Sequence, residues 1–177
     1  MAPRTKGKWA QGIQPRNFCW IIKGKLAVCE RPGGYGANHR RVRRQEEIIW
    51  IREQGFASVI SFIDAPHNLH NYEELSVPYL HRPFGALDDP ERFLGEFYPE
   101  LHSIISTGAK VVCHTEEVGD RIAGVMGGYI RWSGLMRDIP QCTVLIETIT
   151  GRQLDPLGRT FVALAGELPN AIRPQLR

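Results

Sequence analysis

Four cysteines in 177 residues are few, and none of them stands in a CxxC pair or at a His/Cys spacing that suits zinc. Cys19, Cys29, Cys113 and Cys142 are scattered, and Cys19 and Cys113 sit inside apolar runs, where a free cysteine behaves as a small hydrophobe. A disulfide framework is thereby excluded, and the expected setting is a reducing, cytoplasmic one. No apolar run approaches the roughly 18 residues that a membrane span needs, and the start of the chain has no signal-like apolar core. There is no internal repeat. Charge of one sign is also scarce: the net +3 is too mild to imply nucleic acid by itself.

What is present is ordinary for one domain with a sizeable core, with 42% hydrophobic and 23% charged residues. The charge is unevenly spread. Residues 1–15 are polar and basic with Gly and Pro, and read as a flexible N-terminal arm. "HRRVRR" at 39–44 groups Arg40, Arg41, Arg43 and Arg44. Basic residues in a first helical turn oppose the helix dipole, so this cluster is a candidate second anion site, for a phospho-ligand or, more weakly, RNA.

"FCWII" and "KLAVCE", joined by Lys23-Gly24, read as a β-hairpin. A helix follows over about 40–54, with Arg43 and Glu47 at i,i+4 and Gly55 as its stop. "ASVISFI" (57–63) and "VPYLHRPF" (77–84) are strands, and the Pro/Asn/His-rich stretch between them is a loop. His67 and His70 lie in that loop without the rigid spacing a metal site requires, and no metal or cofactor is expected. Asp89-Pro90 opens a helix that runs to about Thr107. "AKVVCH" (109–114) is a buried strand, a helix spans about 121–133, and two more lie near 140–151 and 156–167. Strands alternating with helices predict a single α/β domain with a central, mostly parallel sheet flanked by helices.

The stretch "KVVCHTEEVGDRIAGVMGGYI" (110–130) is strand, polar loop, helix. The free N–H groups of a helix's first turn, with an arginine beside them, suit an anion. On these residues the chain resembles the cysteine-dependent protein tyrosine and dual-specificity phosphatases. Their loop carries His-Cys, five residues, then Arg and Ser/Thr. His114 and Arg121 match the family's His and Arg, and "GGYI" (127–130) matches its following helix. "WIIKGKLAVCERPGG" and "GFASVISFI" extend the likeness over about 17–167. The resemblance implies a phosphatase-like domain at 16–170 with a tail at 171–177, and an anion-binding loop of His114, Glu116, Glu117, Val118, Gly119, Asp120 and Arg121.

The departures fall on the chemistry. Thr115 occupies the position of the nucleophilic cysteine, and a threonine hydroxyl needs an adjacent base to attack. Val118 replaces the loop glycine, with Gly119 next to it able to absorb a left-handed turn. Ile122 replaces the hydroxyl residue after the arginine. Asp120 is placed either to pair with Arg121 or to tilt the pocket against dianions. Asp88 or Asp89 stands where the family keeps its general acid, although Asp89 also serves as an N-cap. Cys113, on the same strand face as Thr115 but deeper, is the other conceivable nucleophile. The expected function is that of a pseudophosphatase binding a phosphorylated protein, a small phospho-ligand or a protein partner. The alternative is an active phosphoric monoester hydrolase with an atypical loop.

Overall fold

The computed structural model describes residues 11–34, 41–66 and 68–173. Arg40, His67 and most of the proposed N-terminal arm lie outside the described residues. A hairpin of β1 (Cys19–Ile22) and β2 (Leu26–Glu30) opens the domain. Gly24 takes a φ of +74° at its tip, a turn a side-chain-bearing residue would resist, and Lys25 N bonds Ile22 O at 3.0 Å. Helix α1 (Arg41–Glu53) leads to β3 (Ser58–Ser61), then α2 (His70–Glu74), β4 (Tyr79–His81), α3 (Pro90–Ser106) and β5 (Val111–Thr115). Three helices complete the chain: α4 (Asp120–Trp132), α5 (Ile139–Thr150) and α6 (Pro156–Ala165).

The sheet runs β1-β2-β5-β3-β4, antiparallel only in the opening hairpin. The expected single α/β domain with a mostly parallel sheet is therefore what the chain forms. Its last strand, β5, lies in the middle, paired in parallel with both β2 and β3. That placement explains its apolar run, because a central parallel strand is covered on both faces. Val111 and Cys113 enter the larger core beneath α3, α4, α5 and α6, whereas Val112 enters the smaller core under α1 and α2.

Two local differences from the sequence reading have physical causes. Residues 64–76 are not loop throughout, since α2 forms there; five residues are too short to show a helical period. The strands are shorter than their apolar runs, because Pro78 and Pro83 bracket β4 and cannot donate to a ladder. Asp155 sits at the N-cap of α6, but its side chain makes no capping bond. The expected cap of α3 does form, with the Asp89 side chain accepting from Glu91 N at 3.1 Å.

Candidate functional site

Parallel strands end together, and their carboxyl ends open a crevice where ligands of such sheets commonly sit. Here that crevice is a cleft of about 500 Å³, walled by the ends of β3 and β5, the loop 116–119 and the start of α4. Thr115, Glu116, Glu117, Gly119, Asp120, Arg121 and Ile122 line it from the loop side. Phe62, Ile63, Asp64, Ala65 and Phe84 line it from the other.

The loop closes on one of its own carbonyls. Glu117 O accepts a hydrogen bond from the Thr115 hydroxyl and another from Gly119 N, the latter at 2.8 Å. Thr115 O accepts Arg31 N at 2.8 Å, and Val118 O accepts an Arg152 amine at 3.4 Å. Gly119 keeps an extended backbone (φ −101°, ψ −170°), and Val118 has no positive φ. The left-handed turn expected at Gly119 is absent, since Glu117 O supplies the closure without it.

The acidic residues divide into employed and idle ones. Asp120 does not pair with Arg121: its carboxylate oxygens accept Asp155 N and Gly158 N, each at 2.7 Å. It thereby caps α6, whose first-turn N–H groups otherwise lack acceptors. Glu116 lies 3.1 Å from Arg31 Nε. Glu117 and Asp64 are exposed, and their carboxylates have no hydrogen-bond or ion-pair partner among the described residues. Asp64 escaped the sequence reading, although its place just past a parallel strand is itself a signal.

Arg121 stacks over Phe84 at 4.9 Å and faces Phe161 at 5.8 Å, a cation held by two ring faces. Ile122 is buried and offers no hydroxyl. Asp88 accepts Gly85 N at 2.6 Å, and neither Asp88 nor Asp89 is among the cleft's lining residues.

His114 faces away from the cleft, into a small chamber on the α1 side lined also by Arg31, Arg44 and Tyr72. It is 2% exposed, with Nε2 3.2 Å from the Tyr72 hydroxyl and Nδ1 without a partner among the described residues. Burial, aided by Arg31 and His81, pushes its pKa down to about 3, so the ring is neutral near pH 7. Cys113 is fully buried, and burial pushes its thiol pKa far up. In the basic cluster Arg43 bonds Glu47 at 2.7 Å and Arg44 bonds Asn71 at 2.7 Å, while Arg41 is exposed. Among the described residues no three His, Cys, Asp or Glu side chains gather as metal ligands, and no helix is long and apolar enough to cross a membrane.

No family model matches the chain, and no curated protein matches it. Solved structures do. Kinase associated phosphatase, with its catalytic cysteine substituted by serine, superposes with a TM-score of 0.70 at 15% identity, over 84% of this chain and 93% of that one. Tk-PTP in its active form gives 0.67 at 17% identity, over 88% and 98%. The human tyrosine phosphatase-like serine/threonine/tyrosine-interacting protein gives 0.59 at 16% identity, over 85% and 93%. At such identities the likeness is one of fold. The chain has the fold of the dual-specificity and tyrosine phosphatases, as the resemblance of its loop and flanking elements implied.

Proposed function

We propose that this chain is a pseudophosphatase: it keeps the phosphatase fold, has lost cysteine-dependent catalysis, and uses the cleft to bind a protein partner without turnover. The observation that supports this reading is the Thr115 hydroxyl, at the position the sequence resemblance matches to the family's thiolate, which donates a hydrogen bond to Glu117 O. No base is bonded to that hydroxyl to activate it. A thiolate is the attacking form of a cysteine, and Cys113, the nearest thiol in the strand, is buried with its proton held. The carboxylates around the cleft oppose a phosphate dianion further. One structurally similar protein is itself phosphatase-like and named for its interactions.

The test is incubation of the purified chain with an aryl phosphate across neutral pH. No turnover above buffer is expected. Turnover that Thr115→Ala or Cys113→Ser abolishes, while a distant control such as Glu91→Gln retains it, overturns the reading in favour of an active phosphoric monoester hydrolase.

A further inference from the structure

The charge of the cleft says what kind of group it holds; this step rests on the reading of the cleft as a binding site without turnover. Four carboxylates line it against one cation, Arg121. Asp120 and Glu116 are employed, one capping α6 and the other facing Arg31. Asp64, just past β3, and Glu117, in the loop after β5, are left exposed, and Ile63, Ala65 and Phe84 add apolar surface to the same cleft. Among the described residues Arg121 forms no ion pair with either of them, its guanidinium lying instead against the faces of Phe84 and Phe161. The floor is therefore apolar and the rim acidic. A long basic side chain has the complementary design, an aliphatic stem ending in a charged head.

We propose that the cleft receives an arginine or lysine side chain from a protein partner, its stem along Ile63 and Phe84 and its head between Asp64 and Glu117. Gly85 packs so closely that a Cβ there would stand 3.2 Å from Asp64 Oδ2, and the same turn carries Leu87, which is fully exposed. Apolar residues flanking the basic one would meet Leu87. Phosphate, the ligand that the fold would suggest, is disfavoured by the same two carboxylates.

The experiment titrates the chain with a fluorescent capped peptide holding one arginine between leucines, and with its citrulline counterpart. The arginine peptide is expected to bind, with the citrulline peptide about tenfold weaker, as two partly exposed charge pairs would give. Asp64→Asn combined with Glu117→Gln should weaken the arginine peptide by a similar factor of about five to ten. Arg121→Met should tighten it, whereas a phosphate-type site would lose affinity on that change. Both carboxylate changes are at exposed positions, and a thermal melt confirms that the variant is folded. Equal binding of the two peptides, no binding of either, or tighter binding of inorganic phosphate that Arg121→Met abolishes would each overturn the assignment. None of these results would restore catalysis, whereas aryl phosphate turnover in the same preparation would overturn the pseudophosphatase reading instead.

Discussion

The loop 116–119 and the structure directly beneath it obey different rules. Beneath it lie the α4–α6 seam, the Asp120 cap and the buried His114, all tightly determined. Gly124 packs against Gly158 so closely that a Cβ on it would lie 2.5 Å from Gly158 Cα. The loop itself is half-buried except at its exposed, idle Glu117, and its turn is closed on the Glu117 carbonyl. In the support a carboxylate, Asp120, caps the next helix, and in the loop a hydroxyl, Thr115, bonds a carbonyl two residues on. On the proposed reading, stability resides below the loop and ligand choice within it. Changes in the two regions should separate cleanly into losses of stability and losses of binding.

The largest effect is expected in the seam. Gly124→Ala drives a methyl into backbone that cannot yield, costing about 3 kcal/mol even after alanine's better helix propensity is counted. For a chain of this size that lowers the melting temperature by roughly 6–12 °C. Calorimetry reads the shift, and an unchanged melt would show that the seam is looser than its geometry.

His114 comes next, through pH. Its pKa is depressed to about 3 in the folded chain, below its unfolded value, so the unfolded state binds the extra proton as pH falls. The stability it lends is full above the unfolded value near pH 6.5 and is lost progressively down toward pH 3. By about pH 4.5 the loss is on the order of 2–3 kcal/mol. Urea unfolding at the two ends of this window should show that slope in the parent and a smaller one in His114→Gln. Equal slopes would assign the acid sensitivity to the carboxylates alone.

Asp120→Ala should cost about 2 kcal/mol, the value of two charge-assisted bonds to helix N–H groups. Asp120→Asn, which retains one acceptor oxygen, should lose about half as much. If instead Asp120 served chiefly to weaken an anion site, both variants would gain stability from added phosphate and neither would melt earlier.

The support was only partly legible in the sequence, and the loop was more so. The strand, loop and helix of 110–130 and the cap at Asp89 follow from local pattern, because period and capping are neighbour effects. The roles of Asp120 and Asp64 were hidden for the opposite reason. Asp120 meets partners 35 and 38 residues away, and Asp64 meets a turn near Gly85 that packing alone brings close. Likewise Arg121 shows in the sequence as an anion ligand, whereas its aromatic neighbours Phe84 and Phe161 come from distant segments.

The smallest effect is expected in the latch. Thr115→Val removes the hydroxyl bond to Glu117 O but leaves Gly119 N on the same carbonyl, so the loop should stay closed. A partly exposed hydrogen bond of this kind is worth about 0.5–1 kcal/mol, or roughly 1–4 °C in the melt. Millimolar phosphate should then shift neither the parent nor the variant, because Glu117 O still fills the turn and Asp64 and Glu117 still repel an anion. Stabilisation by phosphate in Thr115→Val alone would sharpen the comparison differently. It would mean that the hydroxyl bond is what keeps an otherwise intact anion cradle in the loop shut.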